Sequence, residues 1–321
     1  MSKKVWQINH QIKGLMPAQV KLKRKFWLKK GEILLKAGDG GIDAFVLKTF
    51  EGNELISAHD EILPYLKFSR LFSGGSVSLL GGGGHTIPAG DELGKEKHSF
   101  LGTSVSIRYP EEAVEDMERH ASHYLREIRE LHDKYIGVVS ENEFLSTALD
   151  FFYSANNEPA YEYQSFINAV ICLEALYNEG SSALSYKISH RAGFILGLGG
   201  ALDSIDLFEN LQKIYKDRSS LIHGEGALSH DSDTFEVLRY ARISLMIFFV
   251  LLSNPERQCI GKHKRKKSIL KEIDYAMLDV TKREVLKKEI SKRISDFSLN
   301  TPRTFERRGE DGEIGYRVTG W

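Results

Sequence analysis

Phe166-Ile167-Asn168-Ala169-Val170-Ile171-Cys172-Leu173-Glu174-Ala175-Leu176-Tyr177 puts apolar side chains on almost every side of a helix. A helix without a polar face belongs in the middle of a bundle. Its one acidic residue, Glu174, then needs a partner or an exposed edge, because a bare carboxylate in an apolar core is costly. Upstream, Val114, Met117, Ala121, Tyr124, Ile128, Leu131 and Tyr135 recur at steps of three and four, which predicts a long amphipathic helix. Pro110 opens it, and Glu111, Glu112, Glu115 and Asp116 favour its positive end. Further helices are predicted over 141–155, 158–178, 183–198, 204–222 and 232–252. Turn signals at Asn156-Asn157, Gly180-Ser181-Ser182, Gly197 to Gly200, and Gly224 with Gly226 separate them. The run Ile243 to Leu252 is apolar enough to be buried in the bundle or in a dimer seam.

Before Pro110 the pattern is short and β-like, over Val20 to Leu35, Ala44 to Phe50, Ser76 to Leu80 and Thr103 to Tyr109. The stretch from Gly81 to Gly94 has little apolar content and reads as a long loop or a flexible hairpin tip. It is no phosphate loop, since Ala89 and Glu96 stand where such a loop has Gly and Ser or Thr around Gly94-Lys95. The fold class expected is therefore α+β. A small β-rich domain (1–110) precedes an all-α helical bundle (111–255), a basic helical segment (256–300) and a flexible tail (301–321) that orders only against a partner.

The 321 residues hold 44 Lys plus Arg and 44 Asp plus Glu, so no net charge draws the whole chain to nucleic acid. Any basic surface must be local. The densest run is Lys262, His263, Lys264, Arg265, Lys266 and Lys267, within a segment (256–300) of 13 basic against seven acidic residues. Such a run either collects RNA phosphates by counterion release or is a solvated segment. Two cysteines, Cys172 and Cys259, make neither a disulfide framework nor a four-thiolate metal site. His120, His123 and Glu127 share helical spacing but lack a fourth ligand, so they read as solvated face residues and no metal or cofactor is expected. No apolar run reaches the ~20 residues of a membrane span, and the N-terminus lacks a signal-peptide core. A cytoplasmic protein is expected.

Residues that carry chemistry cluster at Leu211-Gln212-Lys213-Ile214-Tyr215-Lys216-Asp217-Arg218-Ser219-Ser220-Leu221-Ile222-His223-Gly224. Leu207, Leu211, Ile214, Arg218 and Leu221 share one helical face, so Arg218 projects toward other protein. A permanent charge there wants an acidic or phosphate partner. On an ideal helix Arg218 and His223 stand ~140° apart, and both can address one phosphate only if the helix ends near Ile222. Gly224 and Gly226 supply that ending.

Together with Phe166 to Tyr177 and Leu184-Ser185-Tyr186-Lys187-Ile188-Ser189-His190-Arg191-Ala192, this block resembles the HEPN superfamily, and within it the Apea-like HEPN domain, over about residues 141 to 255. The resemblance implies a helical bundle that pairs as a homodimer with a composite cleft, and a metal-independent endoribonuclease acting on tRNA or other cellular RNA in defence, toxin or processing roles. It makes Arg218 and His223 the catalytic pair, with Ser219 orienting the site and Glu174 and Arg191 as supporting residues. His223 would exchange a proton with the ribose 2′-hydroxyl, and Arg218 would hold the phosphate.

A plainer account stands beside it, in which His223 caps a helix C-terminus and Arg218 bridges to Glu174. The superfamily also contains non-catalytic members that bind proteins or nucleotides. Residues 1–110 match no catalytic pattern and read as a sensor, substrate-positioning or partner-binding module. There Lys21, Lys23 and Lys25, with Lys29 and Lys30 beyond, form either a basic ridge for RNA or an acidic partner, or an edge strand protected from aggregation.

Overall fold

The computed structural model describes residues 4–13, 26–30, 33–38, 41–50, 58–69, 71, 78–88, 94–97, 111–157, 162–180, 184–198, 203–224, 231–294, 305–308 and 315–318. They are mostly helical, with an antiparallel sheet toward the N-terminus. The chain divides into two compact units, one of residues 1–133 with 299–320 and one of 134–298 with residue 321. The division falls inside a helix that begins at Glu111, some way past the boundary expected at residue 110.

The first unit is built on a six-stranded sheet in the order β2-β3-β4-β1-β5-β6, every neighbour antiparallel. The strands are β1 (Lys4–Lys13), β2 (Phe26–Lys29), β3 (Ile33–Gly38), β4 (Gly41–Phe50), β5 (Ser78–Pro88) and β6 (Gly94–Lys97). The glycine run expected as a loop is strand: Gly83 pairs with Asn9 and Lys97, and Gly84 with Ile8 and Glu96. A ladder needs only backbone N–H and C=O groups, so a strand with neighbours on both sides survives without side chains. Helix α1 (Ala58–Ser69), unexpected because Pro64 lies in its interior, buries Ile62, Leu66 and Phe68 and lies against β1 and β4. Helix α2 (Glu111–Ser140) contributes Leu125, Ile128 and Leu131 to this core, and Arg129 Nη1 donates to the Trp27 carbonyl at 3.2 Å. Tyr65 stacks on the His132 ring at 3.8 Å, and burial there lowers the His132 pKa. Residues 103–109 and Lys21, Lys23 and Lys25 lie outside the described residues. In the expected tail, β7 (Phe305–Arg308) and β8 (Gly315–Val318) pair as a hairpin. Phe305 pairs with Val318 and Arg307 with Tyr316 in its register.

The second unit is all helical. It comprises the last turns of α2, then α3 (Glu143–Asn157), α4 (Glu162–Tyr177), α5 (Leu184–Gly197), α6 (Ser204–Ile222), α7 (Asp231–Leu252), the single turn α8 (Pro255–Gln258), α9 (Lys262–Leu278) and α10 (Val280–Ile294). α3 packs on α4, α5 on α6, and α7 lies against α3, α4, α5 and α10. As its sequence requires, α4 is central: Phe166, Ala169, Val170, Cys172, Leu173, Leu176 and Tyr177 are all buried. Every residue from Ile243 to Leu252 is buried within this one chain, so that run fills the bundle and is not a seam. The buried Tyr177 hydroxyl donates to Ser244 Oγ at 2.8 Å, tying α4 to α7.

Two glycines set how closely α6 approaches. A Cβ at Gly193 would lie 3.1 Å from the Phe208 nitrogen, and one at Gly197 would collide with the Ser204 side chain. Side chains at these two positions, one turn apart on α5, would push α6 away from the bundle. The basic segment continues the same unit, since α9 buries Ile269, Leu270, Ile273 and Ala276 against its neighbours. Among the described residues no helix is long and apolar enough to cross a membrane.

Candidate active site

Both ends of α6 are capped. Asp203 Oδ1 accepts from the Ile205 and Asp206 backbone N–H groups at 2.7 and 3.2 Å. At the other end the helix stops at Ile222. His223 is the C-cap, its N–H donating to the Ser219 carbonyl at 3.1 Å, and Gly224 follows with φ +72°, a conformation glycine adopts without strain. Leu207, Leu211, Ile214 and Tyr215 form the buried face. Arg218 follows on that face, one turn after Ile214.

Its guanidinium meets Glu174 of α4, with Nη2 3.3 Å from Oε2. The two side chains are 27% and 21% exposed, so the pair sits at the edge of the core with one side open. Burial raises the Glu174 pKa, and the adjacent Arg218 charge pulls it back in part. Tyr215 lies against the same pair: burial and the Glu174 charge push its phenol well above its ordinary value. Among the described residues the Tyr215 hydroxyl and Arg218 Nε have no hydrogen-bond partner. Ser219 and His223 are exposed, and among the described residues the His223 imidazole joins no hydrogen bond or ion pair. The structure thus gathers Glu174, Tyr215 and Arg218 into one polar cluster, with Ser219 and His223 at the surface beyond it.

No protein-family model, curated protein or solved structure matches this chain. Arg218 offers a permanent cation with part of its surface open, and His223 offers a solvent-facing imidazole. A carboxylate fixes the cation in place. This set can bind a phosphate and move a proton.

Arg191 belongs elsewhere. Buried on α5, it forms a fork with Asp274 of α9, Nε to Oδ1 at 2.8 Å and Nη2 to Oδ2 at 2.6 Å, and Nη1 donates to the Tyr177 carbonyl at 3.0 Å. Those contacts lock α9 and the end of α4 onto α5, and they take up the guanidinium. The basic run divides as well. Arg265 points inward, 5% exposed, donating to the carbonyls of Ile260 and Gln258 and to Glu141 Oε2. It does not face solvent as an RNA-binding residue would, because position 265 shares the inner face of α9 with Ile269 and Ile273. Lys266 is half-buried, with its ammonium 5.4 Å over the Phe144 ring, and burial pushes its pKa down to about 8. Lys264 is exposed, and Lys267 is exposed at 3.6 Å from Glu179.

Among the described residues no group of three or more His, Cys, Asp or Glu side chains could hold a metal ion. The side chains of His120 and His123 lie outside the described residues. Sequence reasoning missed Tyr215 as a member of the cluster; its position three residues before Arg218 on the same helical face was the available signal. Asp274, the partner of Arg191, is 83 residues away in the chain and left no local signal.

Proposed function

We propose that the helical unit is a HEPN-type, metal-independent endoribonuclease that cuts cellular RNA, tRNA among it, in a defence or stress role in the cytoplasm. His223 takes the proton from a ribose 2′-hydroxyl, and the 2′ oxygen bonds to the adjacent phosphorus. The bond from phosphorus to the 5′ oxygen breaks, and a second imidazole protonates the leaving oxygen. Arg218 holds the phosphate as negative charge gathers on it. Among the described residues the α6 terminus offers one imidazole, so the reading carries with it a homodimer whose twofold axis brings two α6 ends into one cleft. Residues 1–110 then restrain or direct the nuclease, through a regulatory partner or the substrate.

The observation that carries this reading is the termination of α6 at Ile222. It leaves His223 exposed just past the last turn while Arg218, four intervening residues earlier, keeps an open side. The Arg218–Glu174 pair favours a second reading, a non-catalytic module for protein or nucleotide binding in which the ion pair is structural. One comparison separates them. Wild type and His223→Ala are incubated with total RNA in EDTA. The nuclease reading expects cleavage by wild type alone; equal behaviour of two folded proteins supports the binding module.

A further inference from the structure

The tip of the α9–α10 hairpin exposes a group of large apolar side chains. Leu278 is 87% exposed, Val280 67%, Val285 64% and Tyr275 43%. These residues are close together: Tyr275 and Leu278 lie one turn apart on α9, Val280 opens α10, and Val285 lies one turn after Thr281. Tyr275, Lys282, Val285 and Leu286 line a groove of about 240 Å³ between the two helices.

The tip is also stiff. Asp279 alone joins the helices, its Oδ1 accepting from the N–H groups of Thr281 and Lys282 at 2.8 and 3.2 Å. Arg283 reaches back to the carbonyls of Ala276 and Met277 at 3.2 and 2.9 Å. A fixed apolar surface on two packed helices costs little ordering entropy when something binds it.

Charge decides what that something is. Of the five acidic residues between 271 and 292, four are committed within the chain. Glu272 and Glu289 hold Arg257, Asp274 holds Arg191, and Asp279 caps α10. Only Glu284 faces solvent without such a role. Against it stand the exposed ammonium groups of Lys271, Lys282, Lys287 and Lys288. The apolar tip is therefore rimmed by positive charge. RNA fits poorly, because aliphatic side chains offer bases and phosphates no polar contact. Tyr275 is also closed to stacking, with Lys271 and Lys282 ammonium groups 5.3 and 4.3 Å from its ring centre. A second copy of the same tip would set lysines against lysines.

We infer that the α9–α10 tip is a docking site for an acidic, amphipathic peptide segment of a partner protein. Its apolar anchors cover Leu278, Val280 and Val285, and its carboxylates meet Lys271, Lys282 and Lys288. This site is independent of the nuclease reading and survives its failure.

The test screens the full-length protein against two displayed peptide libraries with the same randomised apolar anchors at helical i, i+3, i+4 and i+7 spacing. One library carries Glu and Asp at the remaining positions and the other Lys and Arg. The acidic library is expected to enrich. Its best peptide, in solution, should lose about tenfold or more in affinity for Leu278→Gln/Val285→Gln and for Lys271→Ala/Lys282→Ala. These positions are exposed, so amide exchange in the core of each variant should match wild type, and a change in it calls for the single substitutions. Equal or no enrichment of the two libraries overturns the proposal, as does unaltered binding to folded variants. A single-stranded RNA oligonucleotide whose binding is lost in Leu278→Gln/Val285→Gln would assign the surface to RNA instead. A dimer that dissociates in that variant would assign it to a second copy.

Discussion

Replacing Arg265 by alanine should destabilise the helical unit and leave any RNA affinity largely intact, although Arg265 sits in the most basic run of the sequence. Among the described residues its guanidinium is the only hydrogen-bond partner of the Ile260 and Gln258 carbonyls, at 3.0 and 2.8 Å, and its stem is packed in a site 5% exposed. Deleting it removes two part-buried hydrogen bonds and packed methylenes, about 2 kcal/mol in all. Glu141, 45% exposed, returns to water and adds little to that cost. It carries its own signature: the hydrogen bond from Arg265 is the largest cause holding its carboxyl below the ordinary value, so its pKa should rise in the variant. The assay is native-state amide exchange at Ile269 and Leu270, which follows this unit and does not require the whole chain to unfold in one step. Lys264→Ala, at an exposed neighbour, should change the same exchange free energies by less than about 0.5 kcal/mol. Unchanged protection in Arg265→Ala, with RNA affinity reduced as much as in Lys264→Ala, would refute the reasoning.

Lys266→Met should stabilise the unit at pH 7. The folded-state pKa of about 8 lies below the ordinary 10.5, so the folded chain carries an ionisation penalty on the order of 3 kcal/mol, as a ceiling. That penalty is full below pH 8 and fades as pH rises toward 10.5, so the advantage of methionine should shrink over the same window in exchange measured against pH; a constant advantage would contradict it. Glu174→Gln keeps the shape of the side chain but leaves Arg218 with no carboxylate, which should cost about 1 kcal/mol and weaken RNA cleavage if the pair positions the guanidinium. Full cleavage by this variant would make the pair a bystander. Sedimentation at micromolar protein should show a dimer; a nuclease fully active as a monomer would remove the composite cleft.

What was legible in the sequence followed periodicity. The bounds of α6 are those read from Leu207, Leu211, Ile214 and Gly224, because apolar spacing and a glycine stop act locally. The all-round apolar pattern of α4 marks it as central for the same reason, and Glu174 needs a partner because a buried carboxylate is costly. The glycine-rich β5 escaped because its stability lies in ladder bonds to β1 and β6, which no side chain announces. α1 escaped because Pro64 reads as a breaker. Arg265 looks like its basic neighbours in composition, although its spacing to Ile269 and Ile273 places it on the inner face of α9. Arg191 falls in a block that the resemblance sets beside the site, while Asp274, which claims it, comes from a distant helix. The identity of a substrate leaves no mark in spacing at all.

If His223 and Arg218 perform transesterification at an RNA phosphate, the chemistry of the product ends records it. Wild-type protein incubated with total RNA in EDTA should yield fragments ending in 2′,3′-cyclic phosphate, and neither His223→Ala nor Arg218→Ala should yield them while both remain folded. Identical fragments from all three proteins, or ends bearing a 3′-hydroxyl, would rule that chemistry out.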